Sequence, residues 1–180
     1  FSPERVRAVA TQTLREARNR NAFLVRGGEA LGHAIEVIAG REEARLIYAG
    51  VSHLQPSDET RLVIDIGGRS TEMILGQGLQ PLRAESFAIG SVGLSVRCFA
   101  SGELTESAFR EAQVLAAAEL EEALVLFGKG RCEPDWSQVL GASGTVGAVA
   151  QVVEAAGLSS DGSFGAAELR WCIEACLRAG

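Results

Sequence analysis

Three short stretches carry residue types that handle phosphate, a hard cation and water. The first is Asp65-Ile66-Gly67-Gly68-Arg69-Ser70-Thr71-Glu72. Two adjacent glycines let the backbone turn tightly, and N–H groups without side chains beside them can approach an anion closely. Ser70 and Thr71 add hydroxyl donors, and Arg69 at the tip can pair with a phosphate oxygen. Asp65 and Glu72 stand on either side of the turn, where a divalent cation bound to phosphate takes oxygen ligands. The plain alternative is a hairpin with an inward Asp and a surface Arg. The second stretch is Gly141-Ala142-Ser143-Gly144-Thr145. Placed between a strand and a helix, it would offer an anion the free N–H groups and dipole of a helix N-terminus. Ser143 or Thr145 could donate directly, and an ordinary glycine-rich connection is the simpler alternative. The third is Arg41-Glu42-Glu43-Ala44-Arg45. One of its carboxylates could orient or deprotonate a water attacking phosphorus. Acids at a helix start are also favoured by the dipole alone, and spacing does not say whether Glu43 meets Asp65. Arg15 and Asn19 lie a turn apart on an expected helix and could reach an anion, or form a solvated face.

These residues need elements to hold them. Val6 to Ala10 reads as a short strand. Thr11 to Leu31 follows a helical period only roughly, weakened by Gly27-Gly28. Ile35 to Ile38 alternates as a strand, and Glu43 to Val51 has the apolar stripe of a helix. His53 to Thr60, with Pro56, Ser57 and Asp58, reads as a loop and a lobe boundary. Leu62-Val63-Ile64 is a buried-strand run, Thr71 to Leu75 a second strand and Leu82 to Ile89 a third, with Gly76-Gln77-Gly78 as a turn. Together they predict an antiparallel meander. Leu94 to Phe99 is a short helix. Thr105 caps the longest helix, whose stripe runs to Phe127 and which Gly128 and Gly130 stop. Val139-Leu140 is a strand, and Val146 to Ala156 and Ala166 to Leu177 are helices. Trp136 and Trp171 are expected in the core or at a lobe contact, and His33 and His53 at the surface or in packing.

Composition narrows the class. The 180 residues are 47% apolar and 22% charged, with a net charge of -6. That is a globular composition, neither disordered nor a disulfide scaffold. The acidic balance argues against a nucleic-acid binder. Sixteen of the seventeen basic residues are Arg, the better planar clamp for phosphate oxygens, with Lys129 the only lysine. No apolar run nears the roughly 20 residues that span a bilayer. Cys98, Cys132, Cys172 and Cys176 form no C-x-x-C pair and read as reduced thiols of a cytoplasmic protein.

Read together, Ile64 to Glu72, Gly40 to Tyr48 and Gly141 to Thr145 resemble the exopolyphosphatase / guanosine pentaphosphate phosphohydrolase (Ppx/GppA) family. Val9-Ala10-Thr11 with Leu14-Arg15 and Asn19 fits as well, as does Ile89-Gly90-Ser91-Val92. The likeness covers nearly the whole chain in the family's order. It implies an α/β fold of the actin-like (ribonuclease H-like) kind: two lobes around a phosphate cleft, residues 1–58 finishing the first and 59–180 making a complete second. It implies Glu43 as the residue that activates water and Asp65 and Glu72 as ligands of Mg²⁺. Gly67, Gly68, Ser70 and Thr71 would bind phosphate, with Gly144 and Thr145 from the other turn. Arg69 stands where the family usually has glycine, and either adds an anion contact or narrows the cleft. The family's first phosphate loop lies upstream of this stretch, so the chain is expected to start midway through the first lobe.

The resemblance implies hydrolysis of a terminal phosphoanhydride, on polyphosphate or guanosine pentaphosphate. It leaves room for a homodimer and calls for neither nucleic acid nor membrane. Two rivals share the fold: a module that binds phosphate or nucleotide without hydrolysing it, and a small-molecule kinase, which would need an adenosine pocket.

Overall fold

The computed structural model describes residues 5–128 and 136–180. Lys129, Gly130 and Cys132 lie outside the described residues. The chain begins with β1 (Ala8–Ala10), α1 (Gln12–Glu16), α2 (Arg20–Leu31), β2 (Ile35–Val37) and α3 (Gly40–Leu54). A meander follows: β3 (Thr60–Ile66), β4 (Thr71–Gln77) and β5 (Gln80–Phe87). Then come α4 (Ser91–Cys98), α5 (Glu106–Glu119), α6 (Glu121–Leu126), β6 (Gln138–Ala142), α7 (Ser143–Ala155) and α8 (Ala166–Ala179).

β1 and β2 form a parallel pair. The other four strands make one mixed sheet of order β5-β4-β3-β6, in which β6 returns parallel to β3. Return in parallel requires a crossover, and α4, α5 and α6 supply it. The two faces of the sheet are covered differently. Val63 of β3 and Ile74 of β4 share a face with Asp65 and Glu72, and α3 packs there through Ala44 and Tyr48. Leu62, Leu75 and Phe87 point the other way and meet Ala123 and Phe127 at the end of the crossover, with Trp136 packed against them.

Helix α3 sits unusually close to its face of the sheet. Ala44, Tyr48 and Ser52, at i, i+4 and i+8, are all fully buried. The Tyr48 ring lies directly over Gly76, where an added Cβ would fall 2.2 Å from the ring. Its hydroxyl donates to the Gly78 carbonyl at 3.2 Å. At the far end, Arg61 is buried and donates to the Gln55 carbonyl at 2.6 Å, placing a cation where the α3 dipole is negative.

Several boundaries differ from the sequence reading. α3 starts at Gly40 and continues through His53 and Leu54, because packing on the sheet holds a helix that composition alone reads as a loop. The stretch after Thr11 divides into α1 and α2, so Arg15 and Asn19 do not share a helix; Asn19 precedes α2. The helix expected from Thr105 to Phe127 breaks at Leu120, which leaves helical geometry (ψ 6°) and turns Ala123 and Phe127 onto the sheet. Thr105 is the expected cap, accepting from the Ala108 N–H at 3.2 Å. Cys98, Cys172 and Cys176 are free thiols. Among the described residues no helix is long and apolar enough to cross a membrane.

The Tyr48–Gly76 contact has a direct consequence. Gly76→Ala forces the ring or strand to move, an overpacking cost of about 1–3 kcal/mol. The urea midpoint of the variant should fall accordingly, whereas an unchanged midpoint would show that the contact relaxes freely.

Candidate active site

Antiparallel register sets Asp65 of β3 directly opposite Glu72 of β4, and Glu72 opposite Ser86 of β5. All three therefore project from the face that α3 covers. The N-terminus of α3 closes on this point: an added Cβ on Gly40 would fall 2.4 Å from the Ser86 Cβ. Arg41 clamps the approach from outside with two guanidinium nitrogens on Glu85, the shorter contact 2.7 Å. One turn into the helix stands Glu43.

Glu43, Asp65 and Glu72 line a single cavity of about 400 Å³ together with Gly67, Gly68, Arg69, Ser70 and Ser143. Its far wall comes from Thr11, Gln12 and Thr13, where the chain leaves β1. Burial pushes the Glu72 carboxyl up from its ordinary range, against the pull of Ser86 and Ser70, and Glu43 and Asp65 push it the same way. The Ser86 hydroxyl donates to Glu72 Oε1 at 2.7 Å. Asp65 is raised chiefly by burial too, with Ser143 beside it lowering and Glu43 raising.

Arg15 on α1 holds Glu43. Its Nη1 donates to Glu43 Oε2 at 3.0 Å and to the Ile38 carbonyl at 2.8 Å, while Nε donates to Gln12 Oε1 at 2.9 Å. Its Nη2 is buried with no hydrogen-bond partner among the described residues. Gln12 in turn donates to Glu16 Oε1 at 2.6 Å, and Glu16 Oε2 accepts from Arg69 at 2.8 Å. A continuous chain of contacts thus runs from Glu43 to the tip of the β3–β4 turn.

The glycine turn is oriented by α4. The Ser91 N–H donates to the Gly67 carbonyl at 2.9 Å and the Gly93 N–H to the Gly68 carbonyl at 3.0 Å. In a trans peptide the N–H points opposite to the C=O. The amides of Gly68 and Arg69 therefore point away from α4. Gly67 spends its own N–H inside the turn, on the Ser70 carbonyl at 3.0 Å. Gly90 makes this seat possible, since a Cβ there would lie 2.5 Å from the Gly68 carbonyl carbon.

The second glycine turn contributes one residue. Ser143 opens α7 with φ 74°, a left-handed conformation that strains a residue with a side chain, and it lines the cavity. Gly144 and Thr145 are not on the cavity wall; the Thr145 hydroxyl donates to Ser91 Oγ at 3.1 Å. Thr71 likewise faces the opposite side of the sheet, donating to the Ile89 carbonyl at 2.7 Å. The structure thus brings together Arg15, Glu43, Asp65, Gly67, Gly68, Arg69, Ser70 and Glu72. Gln12, Glu16 and Ser86 join them, unsignalled by any motif.

A mixed sheet built from a meander and a parallel return, with both glycine turns at one end, defines an actin-like α/β fold. The chain belongs to the Ppx/GppA phosphatase family, whose model matches residues 1–180. It is 40% identical over 179 residues to the Haemophilus influenzae protein named "Putative exopolyphosphatase", covering 99% of this chain and 54% of that one. It is 42% identical over 156 residues to the guanosine-5'-triphosphate,3'-diphosphate pyrophosphatase of Pseudoalteromonas atlantica, covering 87% of this chain and 30% of that protein. The crystal structure of an exopolyphosphatase from Cytophaga hutchinsonii superposes with a TM-score of 0.67 at 30% identity, over 83% of this chain and 47% of that one. The chain therefore spans about half the length of one curated relative and under a third of the other.

The raised carboxyl of Glu72 gives a pH signature. Its folded value lies above its ordinary 4.5, so between the two the folded state binds more protons than the unfolded one, and stability falls as pH rises through that window. Glu72→Gln removes the penalty. In metal-free buffer its thermal midpoint should exceed that of the unsubstituted chain at pH 7, and the gain should vanish below about pH 4. An equal gain at both pH values would place the effect in packing.

Proposed function

We propose that the protein to which this chain belongs hydrolyses a terminal phosphoanhydride of inorganic polyphosphate or guanosine pentaphosphate. The supporting observation is the meeting of Glu43, Asp65 and Glu72 in one cavity with the Gly68–Ser70 turn. The names of the two curated relatives divide between these substrates, which end in the same chemical group. On this reading residues 1–58 complete the first actin-like lobe and 59–180 form the second.

Three carboxylates facing one cavity repel phosphate unless a cation intervenes. Among the described residues no group of three or more His, Cys, Asp or Glu is placed to hold a metal ion. Mg²⁺ does not need one, since it keeps several waters and takes one or two carboxylates plus substrate phosphate. Asp65 and Glu72, opposed in register and both raised by burial and by neighbouring charge, fit that demand. They would hold the ion, which when bound would neutralise charge on the phosphoryl oxygens.

The protein's own groups do the rest. The amides of Gly68 and Arg69 receive oxygens of the terminal phosphate, with Ser70 and Ser143 on the cavity wall. Arg15 fixes the Glu43 carboxylate toward the cavity. Glu43 accepts a proton from water as the water oxygen bonds to phosphorus, and the bridging P–O bond breaks toward the shortened chain. Positioning and charge complementarity account for most of the rate in such a reaction.

In the full-length protein, Glu43→Ala should lower kcat about 10²–10⁴-fold, the usual worth of a placed general base. Turnover retained in that variant rejects the role. Chelation of divalent ions should stop phosphate release, and added Mg²⁺ should restore it; chelator-resistant activity would refute Asp65 and Glu72 as ion ligands.

A further inference from the structure

Arg69 faces two cavities. One is the cavity of the three carboxylates; the other, also about 400 Å³, shares Arg69 with it and is lined by Arg69, Arg97, Glu16, Glu119, Gly90 and Gly93 among others. Each of its carboxylates is already engaged. Glu119 Oε1 accepts from the Ala88 N–H at 2.9 Å, and Glu16 accepts from Arg69 and Gln12. Arg97 has no ion pair among the described residues. The Arg69 and Glu16 side chains are 50% and 44% exposed, and an ion pair so placed is weak. Glu16 therefore acts as a resident anion, easily exchanged for one with more charge and more acceptor oxygens.

We propose that Arg69 is a specificity-determining residue that grips the phosphates behind the terminal one, leading the polyanion into the second cavity beside Arg97, with Glu16 as the carboxylate it displaces. The proposal rests on the phosphohydrolase reading above and sharpens it. The substrate class it favours is a linear chain of three or more phosphates. A single phosphate held at the turn amides ends short of the second cavity and gains little from the Arg69 side chain.

The test is calorimetric titration of the full-length protein with orthophosphate and with tripolyphosphate, in a Glu43→Gln background so that bound tripolyphosphate is not consumed. Arg69→Ala should weaken tripolyphosphate about tenfold more than orthophosphate, the scale of one or two charge-assisted hydrogen bonds. Glu16→Gln should tighten tripolyphosphate at low salt and have no effect in the Arg69→Ala background. Equal losses for both anions, or none, would overturn the proposal, as would a Glu16→Gln effect that persists without Arg69. Both side chains are half exposed, so neither substitution threatens the fold. Phosphate release by the unsubstituted protein separates the two readings. Selective tripolyphosphate binding without release sinks the hydrolase assignment alone, and release without Arg69-dependent selectivity sinks this proposal alone.

Discussion

The approach of α3 to the four-stranded sheet is the constraint on which the cleft depends. Two glycines permit it at two points: Gly40 where the helix meets Ser86, and Gly76 where the sheet meets Tyr48. Gly40 and Tyr48 are eight residues apart, about 12 Å along the helix axis. Contact at both ends fixes the helix in height and in direction. Glu43 lies between them, so backbone packing sets where its backbone stands against β3 and β4, and Arg15 then holds its carboxylate. The Arg41–Glu85 pair reinforces the nearer contact, but it is exposed on the Arg side and contributes little by itself. Apolar burial of Ala44 and Tyr48 against Val63 and Ile74 supplies the larger share.

The same arrangement imposes an electrostatic cost. Burial disfavours the charged forms of Asp65 and Glu72, and the Glu43 charge raises both further. The fold tolerates this because each acid has a dedicated partner. Arg15 faces Glu43, Ser86 and Ser70 serve Glu72, and Ser143 serves Asp65. These partners reduce the penalty without neutralising the cavity. What remains is a negative pocket with backbone amides on one wall, an arrangement suited to a cation and an anion together and to neither alone.

Much of this was legible in the residues. The glycine turn after Asp65, the acidic start of α3 and the second turn after β6 each declared a chemistry by composition, and the structure gathers them at one cavity. The meander was legible as alternating runs around glycine turns, but the fold class came only through the family resemblance, since nothing in Val139-Leu140 says that β6 returns parallel to β3. Side-chain direction was less legible. Thr71 sits one residue before Glu72, and period-2 alternation sends it to the opposite face. Thr145 is drawn to Ser91, a contact 54 residues distant that no local pattern announces. Ser143 took the cavity position because a left-handed residue opens α7, and nothing in Gly-Ala-Ser-Gly-Thr says which member adopts it. The break at Leu120 carries no glycine or proline to mark it.

Ser86 carries no local signal for a different reason. The β4–β5 pairing slips between Leu75 and Gly76, and Leu82 is left out of the ladder. Counted straight back from the turn, the residue facing Glu72 would be Glu85. The loop-out of one exposed leucine therefore decides which neighbour the buried acid receives: a hydroxyl that can donate, or a third carboxylate of the same sign. It also frees Glu85 to stand outside as the counter-charge of Arg41. A homologue that straightened this strand would have to rewrite its ion chemistry at both ends of α3's first turn, so the irregularity and the acid it shelters should be inherited as a unit.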